Sequence, residues 1–160
     1  MYYIIIRGPA SVGKSLVSEL VAKKVNGKHY CIDKILDEHN LTMDREEGCI
    51  SRRSFLEANK ILIPKIEELI NKTPVIIDCN FYWKSVLEDL LDKLPYKNKV
   101  FTLKANLKTC ISRDKNRKPL GKDAVTVVYN KVVQFDYGNI IDTEGKPAEE
   151  VADLIVEKLE

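Results

Sequence analysis

The sequence predicts an α/β fold in three layers, with a five-stranded parallel sheet flanked by helices, and three observations predict it. Apolar, β-branched runs recur without polar alternation, the pattern of strands buried on both faces. Helix-period stretches separate these runs, and strand–helix alternation favours a parallel sheet with right-handed crossovers. The first run passes directly into a glycine-bearing turn that opens an amphipathic helix.

Taken in order, Tyr2 to Ile6 is the first expected strand, with others over residues 29–32, 75–78, 99–104 and 139–141. Helices are expected over residues 14–25, 54–70, 83–91, 107–114, 124–134 and 147–159. Asn26-Gly27 supplies a stop for the first helix, and Pro147 sits where a first-turn proline is tolerated. Two polar segments interrupt the alternation, residues 40–53 and 114–123, and both are candidates for mobile loops over a site.

A chain of 160 residues with 44% hydrophobic content suits one compact domain spanning residues 1–160. With 26 basic against 24 acidic residues, overall charge does not argue for a nucleic-acid scaffold. Cys31, Cys49, Cys79 and Cys110 contain no C-x-x-C pair and read as reduced thiols of a cytoplasmic protein. The apolar start lacks a basic leader and is too short to span a bilayer, so no membrane partner is expected. Oligomeric state is not encoded in any legible pattern.

Gly8-Pro9-Ala10-Ser11-Val12-Gly13-Lys14-Ser15 has the form G-x-x-x-x-G-K-[ST], a Walker A loop. Such a loop works because its backbone N–H groups turn inward around phosphates while the following helix offers its positive end. Lys14 would reach the β- and γ-phosphates, and the Ser15 hydroxyl would hold Mg²⁺. The fold expectation becomes a three-layer P-loop NTPase fold, with ATP and Mg²⁺ as the implied ligands. Asp142-Thr143-Glu144-Gly145 matches the D-x-x-G of switch GTPases, but no N-K-x-D follows, and the order of parts is wrong for a switch.

Two acids stand where strands should end, Asp33 and Asp78, and ligands in open α/β sheets bind beyond those ends. Each would organise Mg²⁺ or take a proton from an attacking hydroxyl. The plainer readings are an N-cap for a helix starting at Lys34 and a turn before Phe81. Arg113 and Arg117 lie four apart, on one helical face, in a basic run that is either a solvated helix end or a lid over the transferring group. Phe81-Tyr82-Trp83 stand at the crevice mouth as packing or as a stacking platform, with Tyr82 or Trp83 the better stacker. Arg45, Arg52 and Arg53 are either anion contacts or solvated charges. His29 and His39 lack metal-ligand spacing, and His29 reads as a satisfied structural residue.

This set, with Asp78-Cys79-Asn80 and the run from Arg113 to Val125, resembles the small P-loop kinases, polynucleotide kinase first and adenylylsulfate and gluconate kinases further off. The resemblance implies an ATP-dependent kinase acting on a hydroxyl of a small molecule, nucleoside, nucleotide or nucleic-acid 5′ end. It implies that Asp33 is the general base and that Lys14 and Ser15 contact phosphate and metal. It further implies that Asp78 and Asn80 shape the acceptor site and that Arg117, with Arg113, engages donor phosphates from a lid near residues 113–123. Beside the resemblance, Tyr82 as a stacker and Arg52 as an anion contact are the further candidate acceptor contacts. The adenine would pack on residues 141–147. Polynucleotide kinases carry an arginine three residues after the base, where this chain has Leu36, so a small acceptor is expected over a polynucleotide. The rival expectation is a nucleotide-binding regulatory module with no phosphoacceptor.

Overall fold

The structure is a computed structural model and describes residues 1–160. Its elements run β1 (Tyr2–Arg7), α1 (Lys14–Lys24), β2 (Lys28–Cys31), α2 (Ile32–Glu38), β3 (Arg45–Glu46), β4 (Cys49–Ile50) and α3 (Arg52–Leu69). They continue as β5 (Val75–Cys79), α4 (Lys84–Lys93), β6 (Lys97–Lys104), α5 (Leu107–Asp114), α6 (Lys122–Val132), β7 (Asn139–Asp142) and α7 (Ala148–Glu157). Five strands form one parallel sheet in the order β2-β5-β1-β6-β7.

The central strand shows why its sequence lacks alternation. Tyr3 and Ile5 belong to one apolar core with α2, α3 and α4, while Ile4 and Ile6 belong to the other with α1 and α7. Period-two geometry sends neighbours to opposite faces, and both faces are covered, so every position must be apolar. The three-layer α/β expectation is the architecture found.

Two local features differ from expectation. The strand at 29–32 ends at Cys31, because Ile32 starts α2, which places Asp33 inside the first helical turn rather than at its N-cap, Cys31. The polar segment 40–53 contains the β3–β4 hairpin. Its two turn residues, Glu47 (φ 54°) and Gly48 (φ 78°), both take left-handed backbone, as a tight hairpin turn requires. After the hairpin, the Ser51 hydroxyl accepts from Ser54 N (3.1 Å) and caps α3. No helix is long and apolar enough to cross a membrane.

Candidate active site

Parallel pairing brings the carboxyl ends of β1, β2, β5 and β6 to one edge, where Ile6 and Cys31 flank Asp78 and Arg7 lies between Cys79 and Thr102. The loop from Gly8 to Gly13 leaves this edge and feeds α1. Gly8 is needed for closeness, since a Cβ there would lie 2.9 Å from Leu103 O. Gly13 is needed for shape: it has φ 100° at the N-cap of α1 and brings no capping side chain, so first-turn N–H groups stay available to an anion. Ser11 also has positive φ, 62°, inside the loop.

Lys14 is buried, and its Nζ donates to Pro9 O (3.0 Å) across the loop's own curve. Ser15 Oγ donates to Asp78 Oδ1 (3.3 Å), and the other oxygen of that fully buried carboxylate contacts His29 Nε2. Asp78 is therefore the partner of the loop hydroxyl, and His29 is the residue that orients it. Ala10, Ser11, Gly13, Lys14, Ser15 and Arg113 contribute to a cavity of about 480 Å³ over the loop.

A second cavity, about 370 Å³, opens beside the first, lined among others by Leu36, Asp37, Arg45, Tyr82 and Val128. The two share Asp33, Asn80, Arg117 and Leu120. Asp33 is exposed to solvent where the two cavities meet. Desolvation by the surrounding protein pushes its carboxyl above the ordinary carboxylate range; Asp78 and Asp37 add to the shift, and Lys14 and Arg117 oppose it. Asn80 Oδ1 is buried without a protein partner, an acceptor left open where the cavities meet. Phe81 follows with φ 44°, a strained conformation for a bulky side chain, locked by burial and by Arg7 Nη2 donating to its carbonyl.

The basic run divides. Arg113 Nη1 donates to Val12 O (3.1 Å) and Thr143 Oγ1, and Nη2 to Thr143 O (3.2 Å), so this side chain stitches the phosphate loop to the turn after β7. Arg117 is exposed, on the turn beyond α5, and borders both cavities. Between them, Asp114 accepts from Ser11 Oγ (3.2 Å), Leu120 N (3.1 Å) and Gly121 N (3.0 Å), which roots the segment 115–121 on the phosphate loop. Those backbone donors hold its carboxyl below the usual range.

Several expectations need correction. Arg52 borders neither cavity: it pairs with Glu46 (3.1 Å) and lies over the Trp83 ring, 5.0 Å from its centroid, on an outer groove. Charge pairing with its own hairpin holds it there, so the acceptor contact expected of it is absent. Tyr82 and Trp83 are not a stacking platform. Both are buried, both donate to Ile50 O, and Tyr82 meets Phe55 edge-on at 5.3 Å, so their faces are already packed. Tyr82 contributes one wall of the second cavity and no more.

Three residues carry structure that the sequence did not disclose. Arg7 is fully buried and donates to Val132 O, Phe135 O, Thr102 Oγ1 and Phe81 O, tying the end of α6 to the strand that launches the phosphate loop. Burial lowers its guanidinium to about 10, with Asp136 opposing, so it stays protonated at neutral pH. Asp114 was hidden among basic neighbours. Asp37, one turn beyond Asp33 on α2, shares the second cavity, and its i, i+4 spacing was the available signal.

No protein-family model and no curated protein matches the chain. Solved structures do. A sugar kinase from Janibacter sp. superposes with TM-score 0.79 at 13% identity, covering 99% of this chain and 94% of that one. A gluconokinase from Sinorhizobium meliloti gives 0.75 at 16%, covering 98% and 94%. A shikimate kinase from Acinetobacter baumannii, solved with shikimate, gives 0.64 at 18%, covering 98% and 92%. At such identities the likeness is one of fold: the chain has the three-layer architecture of small P-loop kinases.

Proposed function

We propose that this chain is an ATP-dependent kinase that moves a γ-phosphoryl group to a hydroxyl of a small acceptor. The observation that carries the reading is the pair of cavities meeting at Asp33, Asn80 and Arg117, one floored by the phosphate loop and the other free of it. A site that only binds or hydrolyses nucleotide has no use for the second cavity or for a carboxylate at the junction.

The residues fit ATP and its metal. The loop supplies converging N–H groups, Lys14 a cation, and Ser15 a hydroxyl aimed at a buried carboxylate. Ser15 would ligate Mg²⁺, with Asp78 holding the ion's surroundings; the ion supplies charge neutralisation for the triphosphate. Gly8, Pro9, Ala10, Ser11, Val12 and Gly13 cradle the phosphates, and Arg113 holds the turn at Thr143 against which the base would rest.

In the transfer, the acceptor oxygen forms a bond to the γ-phosphorus as the bond to the bridging oxygen breaks, releasing ADP. The hydroxyl proton passes to Asp33, whose raised affinity for protons suits a base. Asn80 Oδ1 accepts from a neighbouring hydroxyl of the acceptor and so aims the attacking one. Lys14 and Arg117 neutralise the charge that spreads over the transferring group, and closure of residues 115–121 on the Asp114 root excludes water.

The acceptor half departs from a polynucleotide kinase. Leu36, fully buried in the wall of the second cavity, stands where a phosphate-gripping arginine is expected, which supports a small acceptor. We place the protein in the cytoplasm, where ATP is available and its four unpaired thiols remain reduced. The test is incubation with ATP labelled in its γ-phosphate and a panel of sugars, sugar acids, nucleosides and short oligonucleotides. Label on one acceptor class supports the kinase; label released only as inorganic phosphate overturns it in favour of a regulatory nucleotide-binding module.

A further inference from the structure

The second cavity contains a cation that phosphoryl transfer does not use. Arg45 borders that cavity alone, whereas Arg117 also borders the phosphate loop. Its neighbours are neutralised and turned elsewhere: Arg52 pairs with Glu46 and Arg53 with Asp44, both on the outer groove. Arg45 instead donates to Gly48 O (3.1 Å), which steadies the side chain across its own hairpin without cancelling its charge. Its field reaches the wall, where it opposes the upward shift that burial imposes on the Cys49 thiol.

The rest of the cavity limits what that cation receives. A volume of about 370 Å³ is that of a small-molecule site. Eight of its 14 lining residues are hydrophobic, so part of the acceptor's carbon skeleton packs against apolar wall. Asp33 and Asp37 repel additional negative charge near the transfer point. Tyr82 and Trp83 present no free ring face to a nucleobase.

Resting on the kinase reading above, we infer that the acceptor is a compact hydroxylated molecule bearing a single anionic group, and that Arg45 is the residue that recognises it. The group is a carboxylate or a phosphate ester; a nucleoside or oligonucleotide does not meet the charge and stacking conditions. Arg45 is a specificity residue, acting on the end of the acceptor remote from the hydroxyl that Asp33 deprotonates.

The experiment uses the full chain with ATP and Mg²⁺ and compares matched probes: gluconate and glycerate, their neutral counterparts sorbitol and glycerol, glucose 6-phosphate, and adenosine. Transfer should favour an acid or the phosphate ester over the neutral polyols and adenosine, and the two anionic arms separate carboxylate from phosphate. Arg45→Gln should lower the anionic-to-neutral ratio of kcat/KM by about 10- to 100-fold through KM, Arg45→Lys should recover part of it, and Arg53→Gln should leave the ratio as it is. Circular dichroism establishes that Arg45→Gln is folded. Preference for a neutral polyol or adenosine, or a ratio indifferent to Arg45→Gln, overturns this inference while the kinase stands. Transfer to no probe, with ATP hydrolysed to phosphate alone, overturns the kinase reading and this inference with it.

Discussion

The two cavities that meet at Asp33 and Asn80 are built by different means. The phosphate-loop cavity is mostly one continuous stretch, Ala10 to Leu16, closed by Arg113 and the Asp114 root. Its polar groups are tied: Lys14 to Pro9, Ser15 to Asp78, Arg113 to Val12 and Thr143. The second cavity draws one to three residues each from α2, the β3–β4 hairpin, α3, the turn after β5 and α6, and it holds the loose ends: Asn80 Oδ1 without a partner, Asp33 pushed toward protonation, Arg45 without a carboxylate. On the kinase reading proposed above, a rigid half and an uncompensated half follow from what each would hold. Phosphates are the same in every cycle and are met by backbone; an acceptor is individual and is met by side chains free to change.

The largest effect should come from breaking the rigid half. Lys14→Ala removes the one cation inside the loop, and transfer should fall about 10³-fold or more, with nucleotide affinity falling too. Isothermal titration with ATP·Mg²⁺ and steady-state rates check this. Unchanged rates would mean that the loop does not bind the donor, and the division between the cavities would lose its meaning.

Next comes the junction. Asp33→Asn should lower kcat about 10²-fold with ATP affinity retained, and the wild-type rate should fall on the acid side at a pH above the ordinary carboxylate range. The same shift carries a stability consequence. A carboxyl with a raised folded pKa favours folding while protonated, and loses that contribution as pH rises through the folded pKa. At neutral pH Asp33→Asn should therefore melt at or above the wild-type temperature, and the gap should close in acid. A variant less stable than wild type would make Asp33 a structural residue.

Asp114 offers the opposite sign. Its lowered pKa contributes stability present above the unfolded pKa and lost as pH falls through the folded one. Asp114→Ala should lower the melting temperature at neutral pH, with the wild-type and variant curves converging in acid. It frees Leu120 N, Gly121 N and the Ser11 hydroxyl, so the segment 115–121 loses its root and, on the kinase reading, kcat should drop about 10-fold to 10²-fold. The two carboxylates thus distinguish a group held by its half of the site from one left uncompensated for chemistry.

The same contrast explains what was legible in the sequence. The loop at residues 8–15 could be read because its requirements are local: two glycines, a lysine and a serine at fixed spacing between a buried strand and a helix. The parallel sheet could be read because Tyr2 to Ile6 and Val75 to Ile77 are apolar at every position. The hairpin at residues 45–50 was obscured, since Glu47-Gly48 adopts a tight turn without the Asn-Gly or Asp-Gly that announces one. Arg7 looked like a charge at a strand end, and nothing near it reveals that its acceptors lie on residues 81, 102, 132 and 135. Arg45, Arg52 and Arg53 are equivalent in sequence and are separated only by their partners in space.

The smallest effect should come from outside both cavities, and it tests where the boundary lies. Arg52 is half-exposed, pairs with Glu46 and lies over Trp83, a ring that also has Lys131 at 4.3 Å from its centroid. An exposed ion pair of this kind contributes at most about 1 kcal/mol, and the second cation keeps the ring face covered when Arg52 is removed. Arg52→Ala should leave kcat/KM within about twofold for every acceptor and shift the melting temperature by no more than roughly 2–4 °C. A loss confined to anionic acceptors would instead mean that the outer groove communicates with the acceptor cavity through Trp83 and Ile50, whose carbonyl already joins Tyr82 to the hairpin. In that case recognition would belong to the hairpin as a unit rather than to Arg45.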